Sequence, residues 1–315
     1  MRNPLVLVVT PVFCSKENKR LSMLLQNIYW VGQQSLRDYL HVIVDDGSTD
    51  ETPNLLDRFA SIHDNLLVYH KRNGGSSEAI NFGVEQSLKK VNPRFVTIIH
   101  SDDLLLPNSL ESRAEALSLN GAQFVYSDML IVDELKRHTP LRFRAPHFSS
   151  AANLYQGLLN QKGIPYPTLM WKRDFFLDDV GGFDSQIRSA EDWDIALRSA
   201  KRIDEKGETY KDIHDISVVS RMHAHNLRPK NIREGVRWRC YKLIFKKHVQ
   251  GADYYFRLTK AGIGMLRGIL PEFIKKPLRP IREKIFTTYK EYNIQNEMPF
   301  FESLNEIDYR TALKV

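Results

Sequence analysis

The feature that most constrains this chain is an apolar run that ends in two adjacent acids. Phe95-Val96-Thr97-Ile98-Ile99 is β-branched or aromatic throughout and leads through His100-Ser101 into Asp102-Asp103, three leucines and Pro107. Such a run predicts a buried strand. In an open parallel sheet the ligand crevice lies just beyond the carboxyl ends of the strands, which is where these acids fall. Two aspartates at one spot repel each other unless something positive lies between them. A hard divalent cation shared with substrate phosphates, Mg²⁺ or Mn²⁺, is one solution. The alternative is local, with Asp102 opening a turn and Asp103 capping a helix after Pro107.

Strand-like runs at residues 5–9, 41–45, 66–70, 95–99 and 123–127 alternate with helical periodicity. Leu21, Leu24, Leu25, Ile28 and Val31 share one helical face, as do Ile80, Val84 and Leu88; Thr49 and Asp50 precede a helix through Leu55, Leu56 and Phe59. Continuous apolar strands alternating with helices predict an α/β fold, a mostly parallel sheet covered on both faces. A long irregular region punctuated by prolines is expected after residue 127. A helix then starts near Glu191, and a late strand covers 213–222. From about residue 230 the segments read as helical, basic and aromatic. The organisation expected is a domain over 1–228 and a basic, mainly helical C-terminal region over 229–315.

Cys14 and Cys240 are the only cysteines, which gives no disulfide framework. Arg2 followed by Leu5-Val6-Leu7-Val8-Val9 imitates a signal peptide, but the run is brief, lacks a small-residue cleavage site and ends in a highly polar stretch. It reads better as a first strand, so the expectation is a cytoplasmic protein. No apolar run is long enough to span a bilayer. The net charge of +7 is unevenly spread. Between Arg228 and Lys290 there are 17 Lys and Arg against 4 Asp and Glu, and the rest of the chain is net acidic.

Further motifs carry candidate chemistry. His41-Val42-Ile43-Val44-Asp45-Asp46-Gly47-Ser48-Thr49-Asp50 again puts paired acids at a strand end, followed by a turn and helix-start cluster. One such acid suits the base or ribose of a nucleotide. Asn73-Gly74-Gly75-Ser76-Ser77 follows the third strand, and its glycines and helix start, with Gly74 and Ser77 as candidate ligands, offer N–H groups to an anion or sugar oxygen. It lacks the ending of a phosphate loop. In Ser189-Ala190-Glu191-Asp192-Trp193-Asp194, Glu191 reads as a helix cap and Asp192 as a candidate general base. Arg221-Met222-His223-Ala224-His225-Asn226 ends the late strand, with His223 a candidate metal ligand and Arg221 a candidate diphosphate contact.

Taken in order, Pro11-Val12-Phe13, Gln34, Val44 through Asp50, Asn73-Gly74-Gly75, Asp102-Asp103, Glu191-Asp192-Trp193-Asp194 and Arg221-x-His223-x-x-Asn226 resemble family 2 glycosyltransferases over about residues 5–228. The non-processive bacterial members that build surface polysaccharides are the nearest in kind. The resemblance implies a GT-A fold (Rossmann-like, mostly parallel, helices on both faces), here with a C-terminal helical extension. It also implies a nucleotide-diphospho-sugar donor, a UDP-sugar first among the candidates, and inversion at the anomeric carbon with a divalent metal, Mn²⁺ or Mg²⁺. Carried over, Pro11 and Phe13 line the nucleobase pocket and Asp46 contacts the base. Asp102 touches ribose or sugar, Asp103 ligates the metal, Asp192 is the base, and His223 is a further metal or diphosphate contact. Phe13-Cys14 stands where the family often has Tyr-Asn. Glu234-x-x-Arg237-Trp238 is close to the Gln-x-x-Arg-Trp of processive synthases, but Glu replaces Gln and membrane helices are missing, so polymerisation is not expected.

The expected reaction is transfer of a sugar to a hydroxyl of a glycan or lipid-linked acceptor, in a single displacement that needs no enzyme nucleophile. A nucleotidyltransferase is the competing enzyme class, but the first strand lacks the basic Gly-rich loop that would hold a triphosphate. A degenerate nucleotide-sugar-binding or scaffold protein is the non-enzymatic one, although Asp46, Asp102, Asp103 and Asp192 are all present. A nucleic-acid partner is not expected, because the basic segment carries no binding motif. Leu258, Leu266, Ile269, Leu270 and Phe273, with Lys260, Arg267, Lys275 and Lys276 nearby, fall roughly on one side of a helix. This suggests peripheral contact with the inner face of the plasma membrane, or a homo-oligomer through the C-terminal region.

Overall fold

The computed structural model describes residues 3–269 apart from 19, 120, 134–139, 224–230 and 232–233, together with 290–291; for 264–269 and 290–291 it describes the backbone alone. His225, Asn226, Leu270, Phe273, Lys275 and Lys276 thus lie outside the described residues, as do the side chains of Leu266, Arg267 and Ile269.

Because Val6, Leu7, Val8 and Val9 are apolar on both sides of the pleat, their strand must be covered on both faces. It becomes β1 (Val6–Val12), parallel to β2 (Tyr39–Asp45) on one side and β4 (Phe95–Ile98) on the other. β3 (Leu66–His70) extends the parallel set beyond β2. The helical periodicities appear as α1 (Leu21–Gly32), α2 (Thr52–Ile62) and α3 (Ser76–Leu88). Leu7 and Val9 join Ala79, Ile80 and Val84 of α3 in one core cluster. Val6 and Val8 join Val31 and the apolar residues of α4 (Ser109–Leu119) in another.

The strand expected at 123–127 forms as β6 (Phe124–Asp133), and after it the expected irregular stretch gives way to regular elements. β7 (Leu141–Phe143), α5 (Ala151–Leu159), a 3₁₀ turn Tyr166–Thr168, β8 (Met170–Lys172) and a π-helical turn Phe175–Val180 fill it. Three-residue strands carry no readable periodicity, and their neighbours fix them instead. β8 is wedged antiparallel between β4 and β6. β9 (Tyr210–Met222) runs parallel to β6 and also pairs with β5 (Leu104–Leu105), directly after the acid pair. The sheet order is β10-β7-β6-β8-β4-β1-β2-β3, where β10 is Lys290–Glu291. Arg113 of α4 is fully buried and ties the layers together. It donates to Thr97 Oγ1 at 3.0 Å, to the Thr168 carbonyl at 2.8 Å and to Ser109 Oγ at 2.8 Å.

α6 (Glu191–Lys206) starts at the predicted point and packs its Trp193 against Tyr241 and Phe245 of α7 (Val236–His248). α8 (Gly251–Ile269) follows, and its Leu258 packs against the core cluster rather than standing with an outward apolar stripe. No helix among the described residues is long and apolar enough to cross a membrane.

His41 makes the buried sheet sensitive to acid. Its Nε2 lies 2.9 Å from Thr10 Oγ1, and burial lowers its pKa from the ordinary 6.5 to about 3. The fold therefore keeps the imidazole neutral, while the unfolded chain binds a proton below pH 6.5. Stability from this group is complete above that pH and is lost as pH falls toward 3, at about 1.4 kcal/mol per unit. Urea unfolding at pH 6.5 and at pH 5 should show the wild type losing about 2 kcal/mol more than His41→Gln over the same interval.

Candidate active site

The paired acids predicted from sequence stand at or beyond the carboxyl ends of β2 and β4, the two strands that flank β1. At the end of β2, Asp45 and Asp46 are both buried. Asp45 accepts from the Ser48 amide at 2.9 Å and pairs with His70 Nδ1 at 2.9 Å, and His70 Nε2 reaches Asp57 at 3.0 Å. Burial alone would lower the His70 pKa, but the hydrogen bonds and charges of Asp45 and Asp57 outweigh it and raise it. Asp46 holds the glycine loop. Its carboxylate accepts from the Gly74 amide at 2.9 Å, the Gly75 amide at 2.7 Å and Lys71 Nζ at 3.0 Å. Gly47 makes the turn possible, because its φ is +79° and any Cβ at this position would lie only 3.0 Å from the Asn73 nitrogen.

Of the other residues expected here, Pro11 is buried in β1, past the last residue that pairs with β4, and Phe13 exposes its ring just beyond the strand. Ser77 is buried, and its hydroxyl donates to the Ile187 carbonyl at 3.1 Å. Asn81 spans the same gap, bonding both the amide and the carbonyl of Phe183. The helix after the glycine loop is thereby fastened to the segment that delivers α6.

At the end of β4, Asp102, Asp103 and His223 come together. Asp102 Oδ2 lies 3.0 Å from His223 Nε2 and 3.9 Å from Arg20 Nη2. Burial would raise the Asp102 carboxyl, but the hydrogen bond to His223 and the charges of Arg20, His100 and His223 hold it well below the usual carboxylate range. Asp103 moves the other way, pushed up to about 6 by burial and then by the charge of Asp102. Its Oδ1 accepts from the Arg221 amide at 3.1 Å. The Arg221 guanidinium turns toward α1, bonding Gln26, the Met23 carbonyl and the Asp102 carbonyl, which makes it a brace between α1 and the acid turn.

Asp192 opens α6 and accepts from the Trp193 amide at 2.7 Å. Ala190 before it is left-handed at φ +67°. Burial, then the charge of Asp192, raises the Glu191 pKa, and His100 acts in the opposite direction. The charge of His100 thus reaches Glu191 as well as Asp102 and Asp103. Arg237 of α7 lies 3.5 Å from Ser189 Oγ, stacks on Tyr241 and feels the charges of Asp192 and Glu191. Arg20 and Lys71 are not singled out by the sequence, and Arg237 is named there only within the Glu234-x-x-Arg237-Trp238 motif, with no contact assigned to it. Only their places beside the motifs hinted at them.

Among the described residues no three His, Cys, Asp or Glu side chains form a ready-made metal cage. The donor set instead fits an ion held by few protein oxygens and completed by phosphates and water. Asp103, strained by burial beside a second carboxylate, is where a cation would relieve the repulsion, whereas His223 already uses Nε2 on Asp102.

The sequence model of the family described as "Glycosyl transferase family 2" matches residues 8–176. An uncharacterized glycosyltransferase of Rickettsia bellii is 26% identical over 192 residues, covering 61% of this chain and 26% of that protein. The uncharacterized glycosyltransferase YwdF of Bacillus subtilis is 26% identical over 186 residues, covering 58% of this chain and 65% of that protein. The chain therefore spans from about a quarter to just under two thirds of the length of these relatives. Among solved structures, S. aureus TarS 1-349 in complex with UDP-GlcNAc aligns with a TM-score of 0.58 at 17% identity, covering 82% of this chain and 71% of that one. Mannosyltransferase PcManGT from Pyrobaculum calidifontis, in complex with GDP-Man and Mn²⁺, aligns with a TM-score of 0.53 at 18% identity, covering 100% of this chain and 84% of that one. At these identities the structural likeness speaks for the shared GT-A fold.

The bonds around Asp46 predict a local defect. Asp46→Asn keeps the shape but weakens the charge-assisted acceptors of two amides and Lys71, and should cost on the order of 2 kcal/mol. Thermal melting reads the loss, and amide exchange at Gly74 and Gly75 should rise more than exchange in β1.

Proposed function

The chain belongs to glycosyl transferase family 2, and from that premise we propose that it transfers a sugar, with inversion, from a nucleotide-diphospho-sugar to a hydroxyl of a glycan or lipid-linked acceptor. Buried Asp103 and half-buried Asp102, side by side after β4 with Asp102 3.0 Å from His223, carry this reading. Solved relatives in fold bind UDP, UDP-GlcNAc or GDP-Man, which supports a nucleotide-sugar donor and keeps a UDP-sugar first in line.

In the proposed reaction the exposed Phe13 ring stacks on the base, and Asp46 acts beside it while holding the glycine loop. Asp102, fixed by His223, accepts from ribose or sugar hydroxyls. Asp103 would be the protein's principal ligand to a divalent cation, which would offset the charge of the departing nucleoside diphosphate. The acceptor hydroxyl enters from the side of α6. Its oxygen forms a bond to the anomeric carbon as the bond from that carbon to the diphosphate oxygen breaks, and its proton passes to Asp192. Arg237 sets the field around that carboxylate. No enzyme nucleophile takes part.

Metal dependence is the first check. Asp103→Asn should weaken donor binding and turnover together, and chelator should do the same to the wild type until Mn²⁺ is restored. Turnover indifferent to chelator would leave the paired acids with some other purpose.

Asp192 separates chemistry from binding. A base that acts only as the acceptor attacks favours the transition state over the bound donor. Asp192→Asn should therefore depress kcat by roughly 10²–10⁴-fold while donor affinity stays near wild type. Glu191→Gln is the comparison, expected to cost about 1 kcal/mol or less of stability with turnover largely kept. If Asp192→Asn turns over normally and merely melts earlier, Asp192 is a helix cap.

A further inference from the structure

We infer that the outward face of α7 and α8 is a docking surface for an anionic lipid bilayer. Both helices turn inward residues to the same core cluster, Cys240, Tyr241, Ile244 and Phe245 from α7 and Tyr254, Leu258 and Ala261 from α8. They also pack closely on each other, since a Cβ at Gly262 would come within 3.1 Å of the Trp238 ring. Their outward faces therefore lie on one side of the molecule.

Those faces are unusual for a water-facing surface. From α8, Tyr255 and Phe256 are 69% and 67% exposed, and Ile263 is 48% exposed; from α7, Leu243 is 38% exposed. Between them stand the exposed cations Arg239, Lys242, Lys246 and Lys260. The only acid in either helix is Asp253, and it is ion-paired with Arg257 at 2.7 Å. Aromatic and aliphatic side chains interleaved with lysines on one helical face, without acids, suit the boundary between headgroups and acyl chains. Nucleic acid would use the cations but has no need of exposed Phe256, Leu243 and Ile263. A two-fold contact with a second copy would set like charges against one another and bury lysines that interfaces avoid.

The face differs from the stripe expected from sequence. Leu258 is packed inward, and Tyr255, Phe256 and Ile263 take the outer positions. α7 meets the candidate active site with its other side, where Arg237 reaches Ser189 just ahead of Asp192. The inference holds whatever reaction the site performs.

The test is co-sedimentation of the full chain with vesicles of phosphatidylcholine alone or of phosphatidylcholine mixed with phosphatidylglycerol. The chain should pellet with the anionic vesicles at low salt and be released at high salt. One basic residue near an anionic leaflet is worth about a fivefold change in partitioning, so Lys242→Glu with Lys246→Glu should lower binding by at least about 25-fold. Tyr255→Ser with Phe256→Ser should weaken it too, with the melting temperature of the free protein unchanged. Phe256→Trp gives an independent reading, an emission blue shift beyond that of the wild type when anionic vesicles are added. Equal recovery with neutral vesicles, binding that survives the charge reversals, or no shift at Trp would each overturn the inference. So would a dimer in sedimentation velocity that the Tyr255→Ser, Phe256→Ser variant converts to monomer, which would make the face a contact between copies.

Discussion

A buried carboxylate beside a half-buried one cannot readily stay charged without help, and the help at Asp102-Asp103 comes from far along the chain. His223 and the Arg221 amide lie about 120 positions downstream, and Arg20 lies before α1. The long excursion from β5 to the end of β9 makes structural sense as the means of bringing those groups back. β9 pairs with β5 immediately after the acids and with most of β6, so its last residues arrive beside Asp102 and Asp103 in a fixed register. Arg221 then fastens this corner to α1 through Gln26 and Met23. Charge compensation at one turn thus explains why the sheet is completed by a late strand.

Much of this was legible in the residues, and what was not has a physical reason. The four parallel strands could be read because runs such as Val6–Val9 and Val42–Val44 are apolar on both faces, and helix periodicity fixed α1, α3 and α6. The acids at strand ends could be read for the same reason, since a strand that stops at Asp-Asp announces its own edge. β8 could not, because Met170-Trp171-Lys172 has no pattern beyond its length and owes its place to β4 and β6. The partners of the acids were equally hidden. Lys71 and Arg20 are ordinary residues until the fold sets them beside Asp46 and Asp102. Ser77, read as a ligand from its place at a helix start, spends its hydroxyl on Ile187.

The change at residues 228–229 is one of charge, while packing continues beyond it. Trp193 of α6 packs at a tilt against Tyr241 and edge-on against Phe245, and Cys240, Ile244 and Ala261 belong to the same cluster as β1 and α3. A basic segment that were only tethered to the body would leave Arg237 free to wander. Here the burial of α7 fixes it, with its ring partner Tyr241, next to the start of α6. The apolar half of these helices stabilises the body, and the remaining half is left to face outward.

The same electrostatic device appears twice around His100. After β4 burial would raise both adjacent acids, but His223, Arg20 and His100 lower Asp102, while the charge of Asp102 adds to the rise of Asp103. At α6 burial and the charge of Asp192 raise Glu191 in turn. Ala190 holds a left-handed conformation that costs roughly 1–2 kcal/mol for a residue with a side chain, and it is buried, so the surrounding packing enforces that geometry. Its effect is to start the helix where the fields of His100 and Arg237 reach both acids. Each acid pair is thereby made unequal by its surroundings, through His223 and Arg20 at Asp102 and through burial at Asp103 and Glu191.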